Sequence, residues 1–532
     1  MVIEKLKSLL IDSLENKGAV PDFLVEYQEI SAHGDYSSNI AMKLAPILKQ
    51  APKTIAENLI SKLKQNPDSK IFSKIEFSNP GFINFWLSDE FLIENLKKIL
   101  KENKKYGSSN FGKKEKIQVE YISGNPTGPL TLGNGRGGFY GHALSNVLDF
   151  SGFKVEREYY VNDAGNQILT LGKSVLASLE VIPKEETFYK GEYIDEIAKK
   201  FSSKIKKLSK EPYKVGKLAS DYLLSEIKKV VKKYSGISFD KWTSEDKEIR
   251  KKKYPEKAIE IFKSKNLAYN SEGALWLKTT EFGDDKDRVL VTKDGFLTYF
   301  ASDAGHYIRT LERGFKRKIL VLGPDHHGYV KRIEAAAKLV GMENPEFIVT
   351  QTIRLIKDGE ELKMSKRKGV YIEFMDLIDE VGPDAARIFF LSHGSESHID
   401  FDLNLAKEKS NKNPVFYMQY AFVRGNQILK KSRILKNKIP EKFSSEIQKN
   451  LIKEFIKFPD LILESAKDYR VNRLVKYALE LSKNFHNFYE HERIYGEPNK
   501  ILASERLSLL KAFNTILGTV FSLLGVSKIE KM

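Results

Sequence analysis

Two short stretches of this chain have the residue types to handle a nucleotide. The first is NPTGPLTLGNGRGG (125–138), with two prolines and five glycines in fourteen residues. It follows the alternating, β-rich KIQVEYIS and runs into GGFYGHALSNVLDFSGF, which has helical periodicity and a glycine stop. A loop that leaves a strand and enters a helix presents free backbone N–H groups and the positive end of a helix dipole, which suits phosphate. Gly133, Gly135, Gly137 and Gly138 would let the backbone come close to a nucleotide. Pro126 and Pro129 stiffen the approach, so this is not the usual dinucleotide fingerprint, and without a following Gly-Lys-Ser/Thr it is not a P-loop. A tight turn with close helix packing is the competing reading. The second stretch is ELKMSKRKG (361–369), where Lys363, Lys366, Arg367 and Lys368 surround Ser365. Cations on a mobile loop can follow charge that develops on a leaving polyphosphate. A solvated basic turn is the alternative there.

These loops need elements to hold them. The opening loop sits in a strand, glycine loop, helix, strand unit, the second strand being VEREYYVND, which starts a doubly wound α/β fold. Residues 1–108 read as a separate α+β unit, closed by a polar, Gly-rich linker at 101–116. Residues 115–372 read as a Rossmann-type domain with a Lys/Glu-rich insertion at about 185–290, and 373–405 as a connecting stem. From 406 to 532 the pattern is helix after helix, a bundle. The expected class is thus multidomain α/β with a C-terminal all-α bundle.

The proline-led glycine loop with KMSK far downstream resembles the class I aminoacyl-tRNA synthetases. Within that class the chain resembles arginyl-tRNA synthetases from end to end. The matching stretches are HGDYSSNIA, PGFINFWLS, NPTGPL, REYYVNDAGNQI, YFASDAGHY, GPDHHGYVKR and FDLNLAKEKSNKNPVFYMQYAFVR, in the family's order. The resemblance implies a reaction in two steps, arginine activation by ATP and transfer to tRNA(Arg), with Mg²⁺ arriving on the ATP and no protein-caged metal. It implies a monomer. Asn125, Pro126, Thr127, Gly128, Pro129, Leu130, Thr131, Leu132, Gly133 and Asn134 stand where the family has its HIGH signature. Thr131 and Asn134 replace the two histidines; both can donate hydrogen bonds at the phosphates, and neither can carry charge. The second signature, Lys363, Met364, Ser365 and Lys366, is intact. By the same resemblance ATP would be held by Gly133, Gly135, Asp325, Lys363, Ser365 and Lys366.

For arginine, the resemblance points to Glu120 and Asp303 as carboxylates, Tyr299 beside them and Asn125 at the amino-acid end. A guanidinium wants planar carboxylate partners and an aromatic neighbour, which fits. Asp303 as the cap of the helix HYIRTLERG, Glu120 facing solvent and Tyr299 in a core are the bland alternatives. His326 and His327 are adjacent and point apart, so a zinc site is not expected. On the tRNA side the resemblance assigns Phe82 and Asn84 to a D-loop nucleotide, and Tyr417, Tyr420 and Arg424 to the anticodon, with core packing as the alternative for each.

The formal charge of +17 fits a polyanionic partner such as tRNA, or simply a lysine-rich surface. The absence of cysteine excludes disulfides and thiolate metal sites and fits a reducing cytoplasm. No signal peptide or membrane helix is expected. Two rivals remain: a class I synthetase for another amino acid, and a non-catalytic tRNA-binding paralogue.

Overall fold

Five parallel strands carry the candidate site. The computed structural model of the chain describes residues 1–14, 20–28, 30–362, 372–433 and 435–532. The central sheet runs in the order Asn344–Val349, Arg317–Leu322, Lys116–Glu120, Lys154–Val161, Lys241–Ser244, and every pairing is parallel. Helices cover both faces of such a sheet, so its middle strand is buried from Ile117 to Glu120. Ile117, Gln118 and Val119 are fully buried, and Gln118 meets its polar needs by donating to Glu156 at 2.9 Å. The chain enters at the middle strand, moves one way through Lys154–Val161 to Lys241–Ser244, then crosses to Arg317–Leu322 on the other side. That reversal opens a crevice at the carboxyl ends of Lys116–Glu120 and Arg317–Leu322, where open α/β sheets bind ligands.

The helix Leu132–Phe150 leaves this crevice. The helices Asn166–Ser178 and Pro212–Lys229 flank it and touch each other through two glycines. A Cβ on Gly172 would lie 1.8 Å from the Pro212 carbonyl oxygen, and one on Gly216 the same distance from that of Ile168. Backbone cannot yield as a side chain can, so Gly172→Ala must part the helices. We expect it to cost about 3 kcal/mol of stability, visible as a lower urea midpoint.

The segment expected as an insertion does more than cover the sheet, because its residues Lys241–Ser244 are the sheet's fifth strand. Four residues are too few to show a period, so the sequence hides it. The rest of that segment forms helices and a three-stranded sheet ordered Arg288–Val291, Ala274–Leu277, Ala268–Ser271. The Gly-rich stretch read as a linker is pinned: Tyr106 is 2% exposed and its hydroxyl donates to the Phe455 carbonyl at 3.4 Å.

A smaller sheet, Ile353–Lys357 paired with Glu360–Glu361 and Ile399–Asp402, leads directly into the KMSK segment. The N-terminal unit has an antiparallel sheet ordered Val25–Tyr27, Tyr36–Ser38, Phe82–Leu87, Phe72–Ser78. It docks on the C-terminal bundle of Pro414–Lys431, Glu446–Asp468, Asn472–His491 and Lys500–Leu524. There Asp460 accepts from the backbone amides of Val2 and Ile3, at 3.0 and 3.4 Å, and Lys453 pairs with Asp35 at 2.8 Å. The bundle helix Lys500–Leu524 is long and apolar enough to cross a bilayer, although no membrane helix was expected. In the structure 83% of its most apolar stretch is buried, as in a bundle's core helix.

Candidate active site

A cavity of about 1470 Å³ occupies the crevice at the carboxyl ends of the strands. Of the residues expected at the site, Glu120, Asn125, Thr131, Gly133, Asn134, Tyr299, Asp303 and Asp325 line it. Lys363, Met364, Ser365 and Lys366 lie outside the described residues. Their neighbour Ile372 lines the cavity, as does Ile353, the first residue of the strand that leads to them.

Thr131 and Asn134 are not two separate donors. They form a capping box at the start of Leu132–Phe150. The Asn134 amide donates to Thr131 Oγ1 at 3.4 Å, and the Thr131 amide donates to Asn134 Oδ1 at 3.0 Å. Each side chain satisfies a helix-end group of the other, which anchors the helix's N-terminus. The signal was present as Thr-x-x-Asn before an apolar helix. Gly135 also departs from expectation. A Cβ there would lie 2.2 Å from the Phe374 ring, so its smallness serves helix packing rather than nucleotide approach. A Cβ on Gly133 would make only an ordinary contact, 3.7 Å from Thr131 Oγ1, and Gly133 lines the cavity.

Three carboxylates meet in one wall. Glu120 ends the first strand and is 6% exposed. It accepts from Ser123 Oγ at 2.9 Å and pairs with Lys318 Nζ at 2.7 Å. Asp303 sits in the second turn of the helix Tyr299–Glu312, whose cap is Thr298, so Asp303 is not a cap. It accepts from the Tyr329 hydroxyl, and Arg332 lies over the Tyr329 ring at 3.6 Å. Burial, with the charges of Glu245 and Glu120, pushes the Asp303 carboxyl up to about 7 despite the Tyr329 hydrogen bond. Glu245 is the third carboxylate and went unanticipated. It opens a π-helical turn, Glu245–Arg250, and accepts from Arg250 Nε at 2.6 Å. Burial raises its pKa against the pull of Arg250. Tyr299 is 40% exposed at the rim, four residues before Asp303 on the same face.

Behind the wall lies a charge cluster. Among the described residues Glu120, Glu158 and His306 are the one group with metal-ligand geometry. Lys318 Nζ stands in it, 2.7 Å from Glu120, 3.2 Å from Glu158 and 3.4 Å from His306. Burial alone would lower the Lys318 pKa; Glu120 and Glu158 outweigh that and hold it up. An ammonium takes the place a metal would need.

Residues 95–390 match the family described as tRNA synthetases class I (R), catalytic domain. Residues 2–87 match the arginyl tRNA synthetase N terminal domain, and 418–532 the DALR anticodon binding domain. The arginine–tRNA ligase of Listeria monocytogenes (serovar 1/2a) is 39% identical over 559 residues, covering all of this chain and 98% of its own. The chain belongs to the arginyl-tRNA synthetase family. The arginine–tRNA ligase of Citrifermentans bemidjiense is 37% identical, with 100% and 99% covered. The Thermus thermophilus arginyl-tRNA synthetase shares the fold at a TM-score of 0.80, with 18% identity and both chains fully covered.

In this family member the tRNA-side candidates do not line the cavity. Phe82 is half-buried at the start of its strand, and Asn84 is buried in the middle of it, opposite Ser37 and Glu76. Tyr417, Tyr420 and Arg424 share the helix Pro414–Lys431. Tyr420 is 40% exposed and stacks on His486 at 5.7 Å. Tyr417 packs on the same imidazole at 4.7 Å, and Arg424 donates to the Tyr489 hydroxyl.

Proposed function

We propose that the chain is an arginine–tRNA ligase that charges tRNA(Arg) for protein synthesis, working as a cytoplasmic monomer. The observation that carries this is the wall of Glu120, Asp303 and Glu245 in a cavity floored by a helix N-terminus. Three carboxylates suit a cationic side chain, which disfavours a synthetase for a neutral amino acid. ATP lies over Gly133 and the capped helix, with Asp325 at the ribose hydroxyls, and Mg²⁺ comes bound to its phosphates. Arginine's carboxylate attacks the α-phosphate, the α–β bridging bond breaks and pyrophosphate leaves with its electron pair. Lys363 and Lys366, with Ser365, follow the charge on that leaving group. The 2′-hydroxyl of the tRNA's terminal ribose then attacks the arginyl carbonyl and AMP departs. Little covalent work falls on the protein, so holding the reactants in line is its main contribution. Asn125 holds the amino-acid end of arginine, and Tyr299 flanks the guanidinium. Phe82 and Asn84 meet the tRNA elbow, and Tyr417, Tyr420 and Arg424 the anticodon loop.

The test is arginine-dependent ATP–pyrophosphate exchange, with and without tRNA(Arg). Exchange supports the reading, and the tRNA arm decides whether activation waits for tRNA. Binding of tRNA with no exchange in either arm would leave a binding paralogue. The pocket also sets a pH dependence. A cation binds the ionised form of Asp303, whose carboxyl titrates near 7 when the pocket is empty. Affinity is therefore full above 7 and lost as pH falls through it. We expect the arginine KM to rise about tenfold per unit below pH 7, and Asp303→Asn to flatten that profile.

A further inference from the structure

We infer that Tyr160 is a specificity-determining residue whose hydroxyl oxygen accepts a hydrogen bond from the substrate guanidinium. This rests on the arginine reading above. Tyr160 lies near the carboxyl end of Lys154–Val161, lines the cavity and is 8% exposed. Its hydroxyl is buried and, among the described residues, has no hydrogen-bond partner. The charged groups around it are each already engaged: Glu120 by Lys318, Asp303 by Tyr329 and Glu245 by Arg250. Nor can the ring swing to find a partner. It stacks on His306 at 4.4 Å and 23°, His306 is held by Glu158 at 3.0 Å, and the Tyr160 amide donates to Ser123 Oγ at 3.0 Å.

A buried polar atom left without a partner is rare in a folded protein and calls for an explanation. Burial, then the charges of Glu245, Asp303 and Glu120, hold this phenol's pKa well above the ordinary value, so it stays neutral. It therefore offers one donor and two lone pairs in the part of the cavity whose charged groups are the carboxylates of Glu120, Asp303 and Glu245. A ligand that completes such a site must bring donors in excess. A guanidinium brings five N–H groups in one plane and no acceptor, whereas an ammonium brings three on one centre. As the cation draws a carboxylate from its resting partner, the phenol can donate to that carboxylate and accept from the guanidinium. The carboxylates recognise positive charge; the phenol oxygen adds recognition of a planar, donor-rich group.

Tyr160→Phe removes one oxygen and keeps the ring stack. The expected result is an arginine KM in the exchange reaction raised about tenfold, with kcat and the ATP KM changed by less than about twofold, as for loss of uniform binding. Calorimetric titration with arginine shows the same loss in Kd. The melting temperature is equal or higher, because an unpartnered buried hydroxyl is gone. Unchanged arginine KM and Kd overturn the inference. So does a melting temperature lowered by several degrees with kcat and both KM values shifted together, which marks a structural residue. Wild-type protein that shows no arginine-dependent exchange overturns the arginine reading itself, whatever Tyr160→Phe does.

Discussion

Replacing Lys318 with methionine should cost about 3–5 kcal/mol of folding stability, the expected price of breaking a buried, charge-balanced cluster by one member. Lys318 is 2% exposed on the strand Arg317–Leu322 and pairs with both Glu120 and Glu158. Methionine fills the space, so packing changes little and the loss is electrostatic. Glu158 keeps His306 at 3.0 Å and Arg309 at 3.7 Å. Among the described residues Glu120 keeps Ser123 and a distant contact to His306 at 3.9 Å. Urea unfolding at constant slope measures the effect. The double variant Lys318→Met with Glu120→Gln should recover part of the loss, because the stranded charge goes with the lysine. A single variant as stable as wild type would mean that the cluster is not held by charge balance.

Asp303→Asn should lower kcat/KM for arginine about a hundred- to a thousandfold, the usual consequence of removing one partner of a buried charge pair. The ATP KM should barely move. Stability gives the contrasting readout. The folded carboxyl titrates near 7, against about 3.9 in an unfolded chain. Between those values the native state binds the extra proton, so stability falls as pH rises through that window. At pH 8 the wild-type protein carries the full cost of that buried charge, and the asparagine variant does not. It should be at least as stable there while failing with arginine. A variant that is less stable and retains arginine activity would place Asp303 in the scaffold.

What was legible in the sequence was local. The run KIQVE, then a glycine loop, then an apolar helix follows from spacing alone, and it fixes where the crevice opens. The pairing of Glu120 with Asp303 came from family resemblance and the chemistry of a guanidinium, and both line the cavity. Glu245, Tyr160 and Lys318 were not legible, because their nearness depends on the order of strands in the sheet. Glu245 follows a four-residue strand too short to show a period. Lys318 did leave a trace: a lysine next to the apolar run ILVL of a strand needs an anion beside it if it is buried. The exchange of two histidines for Thr131 and Asn134 read as a change of phosphate donors. The structure adds that the pair also ties off the helix end, with Thr131 a favoured N-cap residue.

The grip of Asp460 on the amides of Val2 and Ile3 joins residues 458 and 457 positions apart. A ribosome making this chain therefore exposes the first helix long before its clasp exists. At roughly 5–20 residues per second, about half a minute to a minute and a half separates the two. During that interval the strands of the N-terminal sheet can pair, since each pairing lies within residues 25–87. The helix Val2–Asp12 must meanwhile hold its apolar face against that sheet without its cap. Assembly of the finished molecule is thus timed by the emergence of the bundle, and a nascent chain stalled before residue 460 lacks the lock on its own beginning.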